Sequence, residues 1–219
     1  MIETQHKHFL IDTSTDLRQQ LLRKPFANID AVLFTHAHAD HINGLDELRR
    51  FNYLQKKHIP VYGNAGTLAR IRNNFDYAFN DDVYTNGVPN LRAQIVGDKF
   101  LIDDVEIIPI PLKHGSLEIH GYRIENFAYC TDVSEIPESS FRLLENLDIL
   151  VLDALREREH PTHFSLSEAI ETAKIIGAKM TFFTHMNHNI DHFHHGKILP
   201  ESCAFAFDGL ELELGEVNL

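Results

Sequence analysis

Residues 31–41 read Ala-Val-Leu-Phe-Thr-His-Ala-His-Ala-Asp-His, an apolar run of strand length that passes directly into His36, His38, Asp40 and His41. A continuous apolar run closed by a polar turn is the pattern of a strand buried on both faces. The histidine-rich segment after it does not fit one helix face, where a metal-binding pair stands at i and i+4. In a loop, alternate residues turn the same way, so His36 and His38 can grip one ion while Asp40 and His41 turn toward a second. Imidazole and carboxylate donors suit Zn²⁺, with Mn²⁺ or Fe as alternatives. One histidine on such a loop would be an ordinary surface residue. The order HxHxDH at a strand end makes the metal reading the stronger one.

The rest of the chain supplies the setting. Its 219 residues are the length of one domain, 1–219, at roughly 150 residues per domain. With 43% hydrophobic residues it has ample material for a core, which excludes intrinsic disorder. No apolar run approaches the ~18 residues of a membrane span. The start, MIETQHKHFLID, lacks a basic region followed by an apolar one, so a cytoplasmic protein is expected. Two cysteines, Cys130 and Cys203, provide neither a disulfide framework nor a CxxC site. The formal charge of −12 argues against a general nucleic-acid binder, whose affinity rests on Lys and Arg neutralising phosphates. Histidine is unusually abundant at 15 residues, and it is the commonest metal ligand near neutral pH.

Strands and helices alternate along the chain. His8–Asp12 reads as a strand, Thr15–Lys24 as a helix ended by Pro25, and Ala31–Thr35 as a strand. Leu45–Lys57 and Asn64–Phe79 read as helices, with a short strand at Pro60–Tyr62 between them. From Leu91 to Thr131 strand patterns succeed one another, separated by Gly, Asp and Asn turns. Then come a strand at Ile149–Leu152, a helix at Ser165–Ile176, a strand at Met180–Thr184, and a final strand or hairpin at Ala204–Leu214. Interspersed helices and strands predict a layered α/β protein.

On these residues the chain resembles the metallo-β-lactamase superfamily, whose signature is HxHxDH at a strand end. Further signature segments stand in the family's order over nearly the whole chain. His114, in Pro-Leu-Lys-His-Gly, is similar to the third-motif histidine. Asp132, in Tyr-Cys-Thr-Asp, is similar to the carboxylate that bridges the metals, although an Asp after a strand is by itself more often a turn residue. His185, after Met180–Thr184, is similar to the last metal histidine. The resemblance implies two divalent ions, the first on His36, His38 and His114, the second on Asp40, His41 and His185, with Asp132 between. It implies a four-layered αββα sandwich with two mixed sheets. Family members begin with further strands before the LIDT-like segment; here about ten residues precede Asp12, so the first edge strands are expected to be missing. An exposed edge of that kind invites pairing with a second copy, a homodimer.

Two cations about 3.5–4 Å apart can activate water against phosphodiesters, esters, thioesters and lactones alike, so the ligands do not name the substrate. Three segments narrow it. Asp40–Arg49, of the form DHxxGLDELR, is similar to the branch that holds the phosphoribosyl cyclic phosphodiesterases and, more distantly, the tRNA 3′-processing nucleases. Leu10–Leu22 resembles the LIDxxPDLRxQLL run of the same branch. His163-Phe164-Ser165-Leu166-Ser167-Glu168 resembles its HxSxxEA segment, which implies His163 as a catalytic histidine. Ser165 and Glu168 also fit a capping box, so a helix starts there, and its N-terminus favours phosphate. The expected activity is hydrolysis of a small anionic, cyclic phosphodiester. His163 protonates the leaving oxygen, and Asp40 is a ligand whose second oxygen orients the water. His160 supports the loop. The alternatives are a tRNA-processing nuclease, which the acidity disfavours, a lactone or thioester hydrolase, and a metal-binding accessory protein without hydrolytic activity. Cys130 reads as a buried strand residue, and Phe75, Tyr77 and Phe79 as core aromatics. His6, His8, His58 and His120 read as structural or surface residues, and the histidines after His185 as a solvated segment.

Overall fold

Parallel strands need crossovers, and the helical stretches between the apolar runs supply them. The computed structural model describes residues 1–4, 7–79 and 87–214. His6 lies outside the described residues. The chain divides into two compact units, Met1–Gly97 and Asp98–Leu219.

In the first unit the strands are β1 (Ile2–Glu3), β2 (His8–Ile11), β3 (Ala31–Leu33), β4 (Ile59–Gly63) and β5 (Leu91–Ile95), in that spatial order. β1 runs antiparallel to β2, and the others are parallel. The edge on the β1 side therefore carries a two-residue strand. Helix α1 (Leu17–Arg23) joins β2 to β3, and a one-turn helix, α2 (Ala39–Ile42), comes after β3. Helices α3 (Arg49–Gln55) and α4 (Ala65–Asn74) flank β4. Val32 and Phe34 of the apolar run pack with Leu45, Leu48, Val61 and Ile71 in the buried core. Two predicted helices are shorter than expected. Leu45–Leu48 is a 3-10 turn ahead of α3, and α4 stops at Asn74 before a second 3-10 turn, Asp76–Phe79. Successive Asn73 and Asn74 explain the stop, because their side chains compete for backbone hydrogen bonds.

The second unit holds β6 (Phe100–Ile102), β7 (Val105–His114), β8 (Leu117–Ile124), β9 (Phe127–Cys130), β10 (Ile149–Asp153), β11 (Met180–Thr184) and β12 (Cys203–Phe205). They form one sheet in the order β12-β11-β10-β9-β8-β7-β6. β6 to β9 are an antiparallel meander, and β9 to β12 are parallel. Pro109 and Pro111 are tolerated in β7 because β6 pairs only with Val105–Ile107, so the prolines lie where one side of β7 is an edge. Helices α5 (Glu138–Phe141), α6 (Leu166–Ile176) and α7 (His192–Gly196) complete the unit. α6 buries Leu166, Ala169 and Ala173 against Leu150, Leu152 and Phe183.

The closing segment differs from the expectation. Only Cys203–Phe205 pairs as strand, and the last ladder bond is Ala206 N to Phe183 O. Gly209 (φ 89°) then turns the chain, and the alternation Leu210–Leu214 pairs with no strand among the described residues. Alternation marks a strand only where a partner edge exists. The two mixed sheets with interspersed helices are the predicted α/β class. No helix among the described residues is long and apolar enough to cross a membrane.

Candidate metal centre

In the first unit, parallel β2 and β3 end side by side and present Asp12 next to Thr35 and His36. Asp12 is buried, with φ 58°, a left-handed conformation uncommon outside glycine. It accepts hydrogen bonds from the Thr35 backbone N–H (2.8 Å) and the Thr35 hydroxyl (2.7 Å), and one of its oxygens lies 2.7 Å from His41 Nδ1. Burial raises its pKa, and the His41 and Thr35 bonds work in the opposite direction. The Thr35 hydroxyl spends its proton on Asp12, so at 3.0 Å it accepts from His36 Nδ1. One carboxylate thus sets both rings on the Nδ1 side, His41 directly and His36 through Thr35.

His36 lies within 4.6 Å of His38 and 4.2 Å of His41, ring centre to ring centre. His41 Nε2 is 3.4 Å from Asp40 Oδ2. The loop reading holds for His36 and His38. Asp40 and His41 instead sit on α2, with His38 as its N-cap, because the chain bends back onto the Thr13 turn. Thr13 N–H donates to His41 O (2.7 Å) and Gly44 N–H to Thr13 O (3.0 Å). The approach is so close that a Cβ on Gly44 would stand 2.0 Å from Ser14 O.

In the second unit, β9, β10 and β11 are adjacent and parallel, so their C-terminal ends bring Asp132, Asp153 and His185 to one edge of the sheet. Ligands and reacting groups collect at such ends in open parallel sheets. β7 delivers His114, whose Nδ1 donates to Thr162 O at 2.7 Å. Burial lowers its pKa, which favours the neutral, metal-binding form. Asp132 (φ 58°) is buried and accepts from the Thr131 hydroxyl at 2.7 Å. A ligand atom of His114 lies within 4.8 Å of one of Asp132. Asp132 Oδ2 is 3.4 Å from Nε2 of His185, which also has a left-handed backbone (φ 60°).

His163 stands within this group, its ring 4.6 Å from that of His114 and stacked at 5.0 Å on that of His185. Between His163 and His185 lies Asp153, a buried carboxylate to which the sequence motifs assign no role. Its Oδ2 is 3.3 Å from His163 Nδ1 and accepts from Phe164 N–H at 3.1 Å; its Oδ1 is 3.7 Å from His185 Nδ1. Burial pushes its pKa well above the usual carboxylate range, the His185 charge counteracts this, and Asp132 adds to it. Asp153, His163 and His185 bring ligand atoms within 4.8 Å of one another. Asp153 faces Nδ1 atoms, as Asp12 does, but at ion-pair distances of 3.3 and 3.7 Å where Asp12 stands 2.7 Å from its ring.

The capping box is present in full, with Ser165 N–H on Glu168 Oε2 (2.8 Å) and Glu168 N–H on Ser165 Oγ (3.3 Å). Glu168 therefore occupies the anion position expected for phosphate at the start of α6. His160 does support the loop, accepting from Thr162 N–H at Nδ1 (3.3 Å). Cys130 is buried in β9, and burial pushes its thiol to about 12. Phe75 and Phe79 pack on the first unit's core, whereas Tyr77 is exposed and its hydroxyl donates to Asp46 at 2.7 Å. Among the later histidines, His192 and His194 are exposed, and His195 is buried 3.1 Å from Glu157. Asp12 and Asp153 share one signal in the sequence, a carboxylate that ends an apolar strand.

A family model described as a beta-lactamase superfamily domain matches residues 7–186. An octanoyltransferase of Porphyromonas gingivalis is 36% identical over 217 residues, 97% of this chain and 44% of that protein. The exodeoxyribonuclease WalJ of Streptococcus pneumoniae is 26% identical over 170 residues, 72% of this chain and 58% of that protein. The chain thus spans about half the length of these curated relatives. A crystal structure of a diphosphatase from the PhnP family matches with a TM-score of 0.89 and 38% identity, over 96% of this chain and 80% of that one.

Proposed function

Since the chain belongs to the beta-lactamase superfamily, a family of metal-dependent hydrolases, we propose that it is a phosphodiesterase acting on a small anionic, cyclic phosphodiester. The donor set fits divalent metal. His36, His41 and His114 each have Nδ1 committed to an acceptor, and His185 has Nδ1 turned toward Asp153. This is the arrangement that fixes the tautomer of zinc-binding histidines. Zn²⁺ suits these imidazole and carboxylate donors. By the family's order, the first ion would be held by His36, His38 and His114, the second by Asp40, His41 and His185, with Asp132 shared. When bound, two such ions would supply charge neutralisation at phosphorus and an activated water.

The observation that carries the phosphodiester reading is the Asp153–His163 pair. A departing alkoxide needs a proton, and an imidazolium held through Nδ1 by a buried carboxylate delivers one from Nε2. His163 is that acid, and Asp153 positions it. Asp40, exposed beside His41, has an oxygen with which to orient water. Two of the relatives carry names that denote cleavage of phosphorus–oxygen bonds, the diphosphatase and the exodeoxyribonuclease.

The test is a panel of 2′,3′-cyclic nucleotide, ribose cyclic phosphate, bis(p-nitrophenyl) phosphate, single-stranded DNA, precursor tRNA, a lactone and an acyl thioester, each offered to Zn²⁺-loaded full chain. Turnover of the small phosphodiesters above that of the nucleic acids is expected. Preference for DNA or RNA would select a nuclease, preference for the lactone or thioester would select an ester hydrolase, and inertness on all of them would point to an accessory protein. Each of these overturns the proposal.

A further inference from the structure

In the segment His160-Pro161-Thr162-His163 one side chain sets the course of the backbone. Pro161 has no N–H with which to close a turn. His160 Nδ1 instead accepts the Thr162 N–H at 3.3 Å, and the Thr162 hydroxyl stands 3.2 Å from the same atom. This is the bond that an Asn or Asp side chain makes to the backbone two residues on, made here by an imidazole. On the other side of Thr162 the chain is pinned again, by Phe164 N–H on Val133 O (2.6 Å) and on Asp153 Oδ2 (3.1 Å). Between these two fixed points the Thr162 carbonyl receives His114 Nδ1 at 2.7 Å. A carbonyl oxygen only accepts, so this contact keeps the proton of the neutral His114 ring on Nδ1 and leaves Nε2 as the ligand nitrogen. The two segments meet closely. Gly115 has φ 59°, and a Cβ there would stand 2.9 Å from Thr162 Cγ2. Gly115 N–H also donates to Ser134 Oγ (2.8 Å), which holds the end of β7 in place whatever the loop does.

We propose that His160 is a positioning residue for the metal centre, acting on His114 through the Thr162 carbonyl. The inference rests on the metal reading above and deepens it. The contacts run from His160 Nδ1 to the N–H of Thr162, and from the carbonyl of Thr162 to His114 Nδ1. Without the first bond the Thr162 backbone rotates, and its carbonyl turns away from His114. The neutral ring then carries its proton on either nitrogen, and the form protonated at Nε2 has lost the ligand atom. What the role needs at position 160 is an acceptor aimed two residues ahead; the imidazole as such is dispensable. Because His163 follows Thr162 directly, one loop supports both a metal ligand and the acid.

Two substitutions separate the hydrogen bond from the bulk of the ring. His160→Phe keeps a ring and lacks the acceptor; His160→Asn keeps an acceptor for the N–H two residues on and lacks the ring. The first readout is the Zn²⁺ affinity of the full chain in a competition titration against a chelator. His160→Phe is expected to weaken it about tenfold, the lower end for a lost outer partner of a metal-binding histidine, and His160→Asn to keep it within about threefold. The second readout is the tautomer of His114 in the metal-free chain, from long-range ¹H–¹⁵N correlation spectra. The Nδ1–H form alone is expected in the wild type and in His160→Asn, and a mixture in His160→Phe. The same spectra show whether each variant is folded, and His160→Ala replaces His160→Phe if that variant is not. The proposal requires both changes in the variant without the acceptor and neither in His160→Asn; any other pattern reduces His160 to a loop cap and overturns it. Zn²⁺ bound by wild type and His160→Phe alike overturns this inference alone. A wild-type chain that binds no Zn²⁺ overturns the metal reading as well.

Discussion

Replacing Asp153 by Asn removes a buried carboxyl group while keeping the shape of the side chain. In the native protein that carboxyl group faces His163 Nδ1 at 3.3 Å and His185 Nδ1 at 3.7 Å. At an effective dielectric of about 20, a full charge pair at the shorter distance is worth about 5 kcal/mol, an upper bound on what the carboxylate gives the imidazolium. An acid positioned in this way contributes about 10²–10⁴ in rate. The cost of Asp153→Asn depends on how badly the leaving group needs a proton. For a 2′,3′-cyclic nucleotide, which expels a ribose alkoxide, kcat should fall about 10²–10³-fold. For bis(p-nitrophenyl) phosphate, which expels a stabilised phenolate, it should fall less than about tenfold. The assay measures both rates on Zn²⁺-loaded protein, with metal content determined on the same samples. Equal losses on the two substrates, at unchanged metal content, would refute the proton-transfer role. Loss of metal in step with loss of rate would place Asp153 behind His185 instead.

Asp12→Ala removes the acceptor that sets His41 directly and His36 through Thr35, and should weaken Zn²⁺ binding about 10–100-fold in a competition titration against a chelator; unchanged affinity would sink that assignment. Gly44→Ala would put a methyl group 2.0 Å from a backbone carbonyl oxygen, so the α2 turn must shift, and a loss of about 2 kcal/mol or more in urea denaturation is expected; wild-type stability would contradict the packing. His120 is buried in β8 with its pKa lowered by burial, a shift that the Glu118 charge opposes. The unfolded chain takes up that proton as pH falls below 6.5 while the folded chain resists it, so stability is lost on acidification. The His120→Gln variant should show an acid limb shallower by up to about 1.4 kcal/mol per pH unit, and superimposable limbs would refute the assignment.

Much of the second unit was legible in the sequence because its signals are local. Met180–Thr184 is a strand over those residues, and Ser165 with Glu168 announces the start of α6 by side-chain chemistry that needs no tertiary partner. His36, His38, His41, His114 and His185 stood out as candidates through their order and their place at strand ends. Three features were not legible. α2 forms because Thr13 and Gly44 bind the chain back, a contact between segments about thirty residues apart. Asp12 and Asp153 resemble turn residues until the adjacent strand shows which ring each one faces. Leu210–Leu214 alternates as a strand should, but pairing depends on a neighbouring edge that local pattern does not report.

The central claim, a dinuclear metal hydrolase, is tested most directly by elemental analysis of the purified full chain coupled to its turnover of bis(p-nitrophenyl) phosphate. Close to two divalent ions per chain are expected, with activity abolished by chelation and restored by Zn²⁺, and no more than one ion retained in an Asp132→Ala variant. Phosphodiester turnover that survives complete removal of metal would contradict the claim.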